Sequence, residues 1–134
     1  MTKIIFHLLN IIFVFLYIYP GSLLGFLIYK DISKQPQILP DFGVSSNHLF
    51  AFLLLSSLGF ISYFKHLKKV ILYLIFISII LELLHLYIPN RSFQFSDLFG
   101  NIVGVLISIL IFLFNLISSL SFQIPAAKCI IPIL

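Results

Sequence analysis

The chain has 134 residues, of which 61% are hydrophobic and only 9% charged, and its mean hydropathy is +1.20. A soluble domain averages about 45–50% apolar and about 25% charged residues, so this composition excludes an ordinary water-soluble fold and points to a one-domain integral membrane protein. The net charge of +4 rests on few residues, mostly in short loops, which suits control of membrane topology and excludes a nucleic-acid partner, since that needs a basic patch on a polar surface.

The first apolar stretch is Ile4–Tyr29, bounded by Lys3 and Lys30. No small-x-small cleavage site follows it, so it is a membrane segment rather than a signal peptide. Pro20-Gly21 interrupts it, which leaves a helix over 4–29 kinked at Pro20, or a helix over 4–20 followed by an interfacial Ser22–Tyr29. Ile4–Tyr19 alone rises about 24 Å, short for a hydrocarbon core of about 30 Å, and the broken form is the preferred alternative. His7, Asn10, Tyr17 and Gly21 fall near one helical face, predicted to turn inward, with His7 read as a solvated or packing histidine.

Lys30–Asn47 is the longest polar connection, kept extended by Pro36 and Pro40 and wet by Asp31, Lys34 and Asp41. A second helix is predicted over 44–64, with a serine of Ser45-Ser46 as N-cap and His48 in its first turn. Ala51, Leu55, Gly59 and Ser62 continue from His48 as a largely small-residue seam for close packing. Lys65–Lys69 is a basic turn expected on the cytoplasmic side. A third helix is predicted over 70–88, stopping at Pro89. Glu82 then lies about 9 Å inside it, where an ionisable group is costly unless paired or wetted, and His85 shares its face.

Asn90 and Arg91 make the next turn, and a fourth helix is predicted over 97–122. Its polar and small residues Asp97, Asn101, Gly104, Ser108 and Asn115 are spaced four, three, four and seven apart, a single face expected to meet the bundle. Pro125–Leu134 is expected to be an interfacial tail. Its Cys129 is the only cysteine, so no internal disulfide forms, and it is read as a buried or lipid-facing thiol rather than a nucleophile.

The predicted fold is thus all-α and polytopic, with four transmembrane helices. The N-terminus, the Lys65–Lys69 turn and the C-terminus share one side, with Lys3, Lys65, Lys68, Lys69 and Lys128. Lys30, Lys34 and Arg91 lie on the other. The excess of basic residues places both termini in the cytoplasm of a bacterial inner membrane. His48, Glu82, His85, Arg91, Asp97 and Asn101 then converge on the extracytoplasmic side as a candidate ligand site.

Arg91 and the N-termini of the second and fourth helices favour an anionic group there. The competing reading is internal: Arg91 pairs with Asp97 or Glu82, and the helix starts are capped by Ser45, Ser46, Ser96 and Asp97. His48, Glu82, His85 and Asp97 are also N/O metal donors, but Glu-x-x-His occurs once where carboxylate-bridged bundles carry it twice, so no metal or other cofactor is assigned. Acid–base chemistry by Glu82 with either histidine is compatible with the pattern, no nucleophile motif is present, and the question of enzyme activity stays open.

The segments NHLFAF, ELLH and IPNRSFQFSDLFGNIVG together resemble the VanZ-like family. Its pattern is a histidine opening a helix, a glutamate near the end of the next, P-x-R, an aspartate, and an asparagine followed by glycine. Here these are His48, Glu82, Pro89, Arg91, Asp97, Asn101 and Gly104, within a resemblance that covers Ser45–Ser108. The chain departs at Ser46-Asn47, where the family often has aspartate-lysine at the site's rim, and at His85, where it often has glutamine. The resemblance implies a small multi-helix membrane protein, here a single domain over 1–134. The family is named for a protein associated with low-level teicoplanin resistance, which fixes no reaction. Two functions are compatible: binding of an anionic or polar cell-envelope component, such as a lipid or lipid-linked headgroup, or service as a non-enzymatic accessory subunit among other membrane protein subunits.

Overall fold

The computed structural model describes residues 1–40 and 43–127, with side chains through residue 121. The expectations for Asp41, Lys128 and Cys129 lie outside the described residues. The chain forms α1 (Thr2–Ile18), α2 (Leu23–Tyr29), α3 (Ser46–Ser62), α4 (Leu67–Leu84) and α5 (Phe95–Ala127), with one 3-10 turn, Phe64–His66, between α3 and α4. There is no strand among the described residues, so the all-α expectation holds.

The break after α1 follows from three consecutive residues. Pro20 keeps Tyr19 out of the helical region, and Tyr19 is extended at φ −61° and ψ 129°. Gly21 takes φ +91°, which a side chain would strain, and an added Cβ would meet Ile32 O at 2.8 Å. Ser22 then caps α2, its Oγ accepting from Gly25 N–H at 2.9 Å. The two helices meet at 75°, the broken alternative rather than the kinked one.

α4 departs from its predicted range of 70–88. It starts three residues earlier, inside the basic turn, and ends at Leu84, four residues before the predicted end. Past Leu84 the chain tightens into successive turns, with His85, Leu86 and Tyr87 N–H groups bonding the carbonyls three residues back. Pro89 therefore marks the limit of the turn, and Glu82 sits in the last helical turn rather than about 9 Å inside.

α1, α3, α4 and α5 alternate in direction. At one end, His7 of α1 bonds Tyr63 Oη at 2.7 Å and Lys3 Nζ lies 5.2 Å from the Tyr63 ring, just past the end of α3. At the other end, Tyr17 of α1 meets His48 at the start of α3, with ring centroids 4.8 Å apart. Between the ends lies an apolar core built on Phe52, Leu55, Phe60, Leu74, Leu81 and Val105.

α3 and α5 form the most extensive packing in the molecule. Two glycines of α5 allow it. A Cβ on Gly100 would lie 2.6 Å from Ser45 O, and one on Gly104 would lie 2.9 Å from Leu53 N and closer still to Leu49 O. Ser57 Oγ and Ser108 Oγ join the same pair of helices at 3.0 Å. The seam expected on α3 does pack, Gly59 against Val70 and Phe6, but the closest backbone approach belongs to the glycines four apart on α5.

The predicted face of α5 is buried at Asp97, Asn101, Gly104 and Ser108, but Asn115 is exposed. The reason is length. At about 1.5 Å per residue the 33 residues of α5 span about 50 Å and the 17 residues of α3 only about 26 Å, so the far half of α5 outruns its partner. α5 also begins two residues before its predicted start and continues helical through Ala127, so residues 125–127 extend the helix rather than open a tail.

By length and composition α5 is the helix that can cross a membrane alone, over Phe95–Ser121. α1 and α2 together would supply a second, bent segment. α3 has 17 residues, and the 18 of α4 include Lys68, Lys69 and Glu82.

Candidate functional site

Four helix ends meet at one end of the bundle: the C-termini of α1 and α4 and the N-termini of α3 and α5. Each contributes polar side chains because a terminus leaves backbone groups without intrahelical partners. Glu82, at the end of α4, reaches the start of α5, where its Oε1 accepts from Gln94 N–H at 2.8 Å. Asn101, one turn into α5, accepts through Oδ1 from Tyr17 Oη at 2.8 Å. His85 contacts Tyr17 O through Nε2 at 3.0 Å, which closes α1 onto α4.

Tyr17 is the centre of this arrangement. Its ring stacks on His85, with centroids 6.0 Å apart and an interplanar angle of 16°, and stands edge-on to His48. Two acid–histidine pairs flank it: His48 Nε2 to Asp97 Oδ2 and His85 Nδ1 to Glu82 Oε2, each at 3.4 Å. Glu82 and Asn101 are fully buried, His85 is 1% exposed, His48 4% and Asp97 8%. Within this buried cluster, Glu82 Oε2, His85 Nδ1, His48 Nδ1 and Asn101 Nδ2 have no hydrogen-bond partner in the protein. Unpaired polar atoms at such depth are costly. One donor atom from each of His48, Glu82 and Asp97 falls within 4.8 Å of the other two, a geometry open to a small cation.

Arg91 is placed differently from either expectation for it. No carboxylate lies within ion-pair distance of its guanidinium among the described residues. It caps the broken end of α1 instead: Nε donates to Tyr19 O and Nη2 to Leu16 O, each at 3.3 Å, while Nη1 donates to Gln35 Oε1 at 3.3 Å. The open carbonyls and negative dipole end of α1 account for this choice. Burial draws the Arg91 guanidinium down from its ordinary value, opposed by the nearby charge of Asp97, and a guanidinium stays cationic at neutral pH regardless.

The helix starts are not capped as expected either. Ser45 stands at the N-cap of α3, but its hydroxyl makes no cap bond, and Ser45 N–H donates to Ser96 O at 3.2 Å, tying the two starts together. Ser46 and Asn47, the departure from the family pattern, hold the preceding loop. Leu39 N–H donates to Ser46 Oγ and Ile38 N–H to Asn47 Oδ1, both at 3.0 Å, and Asn47 Nδ2 donates to Pro36 O.

Held in this way, the loop roofs a polar cavity of about 290 Å³. Its walls include Gln35, Gln37, Asn90, Arg91, Ser92 and Gln94, with His85 and Asp97 at the cluster side. A second space of about 190 Å³ lies across His85 and Arg91 and reaches Tyr17 and His48. The structure thus brings together five of the six expected residues, His48, Glu82, His85, Asp97 and Asn101, and sets Arg91 in the cavity wall.

Tyr17 and the cavity-lining glutamines are the members that sequence reasoning left out of the site. The signal for Tyr17 was present, since Asn10, Tyr17 and Gly21 share the inward face of α1. Asn10 and Tyr17 are buried and Asn10 bonds Tyr73, whereas His7 is exposed.

The chain matches the family model described as VanZ/LLP1 over residues 4–118, and it belongs to that family. The match takes in α1, and with it Tyr17, in addition to the Ser45–Ser108 region that carries the motif. No curated protein and no solved structure matches the chain.

Proposed function

We propose that this VanZ/LLP1 protein is a four-crossing membrane protein that holds the headgroup of an envelope lipid or lipid-linked molecule in the polar cavity beside His85 and Arg91. The observation that carries this reading is the cavity itself. About 290 Å³ of polar-walled space, with a guanidinium free of any carboxylate partner in its wall, opens directly onto the buried cluster. Arg91 has five N–H donors and commits three to Leu16, Tyr19 and Gln35, which leaves two for phosphate or carboxylate oxygens. The N-termini of α3 and α5 add their dipoles on the same side.

In this reading α1, α3, α4 and α5 are the crossings and α2 lies in the interface. Their alternating directions support it, as do Lys3, Lys65, Lys68 and Lys69 gathered at the end opposite the cavity. Basic residues are retained in the cytoplasm, so the cavity faces outward from a bacterial inner membrane, with both termini inside. The accessory-subunit reading rests on the exposed apolar faces of the helices, which acyl chains cover equally well, and no specific contact surface among the described residues favours it.

The test is gentle detergent purification from native membranes, with mass spectrometry of everything that co-elutes. Ser92→Trp, at an exposed position on the cavity rim, fills the space without touching the cluster. A lipid or headgroup near one equivalent in the wild type, reduced about tenfold or more in Ser92→Trp, is the expected result. A constant set of protein subunits with no such ligand would replace this reading with the accessory-subunit one.

A further inference from the structure

We propose that His48, Glu82 and Asp97, with His85 alongside, form a binding site for a divalent transition-metal ion. The inference stands on donor geometry and is independent of the headgroup reading.

His48, Glu82 and Asp97 each turn a donor atom toward the other two within 4.8 Å, and neither acid–histidine pair makes a hydrogen bond by geometry. His85 shows why. Its Nε2 lies 3.0 Å from Tyr17 O, and a carbonyl oxygen only accepts, so Nε2 carries the proton. In the neutral ring Nδ1 then presents a lone pair, and it faces Glu82 Oε2 at 3.4 Å, a second acceptor. Both atoms are fully buried and neither has a hydrogen-bond partner. Two acceptors turned toward each other call for a positive charge between them, which a bound metal ion supplies. A ring nitrogen that donates to a backbone carbonyl while the other faces the ion is also the usual outer bond of a metal-ligating histidine.

His48 and Asp97 repeat the spacing, Nε2 to Oδ2 at 3.4 Å. Two ligand atoms each about 2.1 Å from a tetrahedral ion lie about 3.4 Å apart. Glu82 supplies the third donor, within 4.8 Å of the other two. Histidine with carboxylates selects Zn²⁺, Mn²⁺ or Fe²⁺ over Ca²⁺ or Mg²⁺. The ion also supplies counter-charge to Glu82 and Asp97, whose nearest cationic candidates among the described residues are histidines rather than lysine or arginine.

The experiment uses the full chain, purified from its membranes in chelator-free detergent buffer, with metal content read by mass spectrometry. The wild type is expected to carry about one transition-metal ion per chain and, after stripping, to bind Co²⁺ saturably with the intense visible absorption of a four-coordinate ion. His48→Gln and Asp97→Asn each weaken Co²⁺ binding about tenfold or more, while Asn115→Ala, exposed on the far half of α5, leaves it unchanged. The proposal is overturned if the wild type carries no stoichiometric metal and gives no saturable Co²⁺ absorption. Binding that persists undiminished in both variants overturns it too. If the variants do not fold, the wild-type spectrum decides alone, the weak absorption of a six-coordinate aqua ion counting against the site. The readouts are metal content and Co²⁺ absorption rather than co-eluting lipid, so metal binding and headgroup binding succeed or fail separately.

Discussion

Arg91 shows how one side chain turns a broken helix into part of a cavity wall. Its fork spans Leu16 O and Tyr19 O at the end of α1 and still reaches Gln35 in the loop. A lysine keeps the charge but has no fork, so Arg91→Lys should lose at least one of these bonds and cost roughly 1–3 kcal/mol. Thermal unfolding in micelles by circular dichroism reads this directly, and an unchanged midpoint would refute the capping role. Tyr17→Phe is the companion test. The ring packing between His48 and His85 is kept, but Asn101 Oδ1 loses its donor in a fully buried position. The expected loss is again about 1–3 kcal/mol, and Tyr17→Phe combined with Asn101→Ala should cost less than the sum of the two singly.

Among the helices, some boundaries were legible in the sequence and others were not, for identifiable reasons. Pro20-Gly21 announces the break after α1 because proline and a left-handed glycine act on the local backbone alone. The end of α4 is hidden, because Pro89 marks only the outer limit and the intervening turns accompany contacts of Glu82 with Gln94 before α5 and of His85 with Tyr17 on α1. The stripe on α5 is correct through Ser108 and fails at Asn115, since the length of the facing helix is not written in α5 itself. Gly100 and Gly104 form a small-xxx-small pair whose role emerges only against Ser45, Leu49 and Leu53. Gly104→Ala should push α3 and α5 apart and cost roughly 1–3 kcal/mol. Lower helicity after heating, or reduced abundance in the membrane, is the expected result, and wild-type behaviour on both counts would show that the approach is not tight.

Across the whole molecule, the convergence of polar residues from distant segments was legible because alternating helices must bring their ends together. His48, Glu82, His85, Asp97 and Asn101 were found that way. Tyr17 was not, since a tyrosine near the end of an apolar helix is ordinary at a membrane interface. Its inward face was legible, but only the packing sets it between two histidines. The cavity was equally hidden, because it is made by a loop folding back over the helix ends through Ser46 and Asn47.

The central claim, an outward-facing polar cavity at the end where these four helices meet, is tested most directly by labelling single cysteines in intact cells with a membrane-impermeant thiol reagent. With Cys129→Ala as background, Ser92→Cys at the cavity rim should label in intact cells, and Lys68→Cys at the opposite end should label only after permeabilisation. The reverse pattern would place the cavity in the cytoplasm and contradict the account.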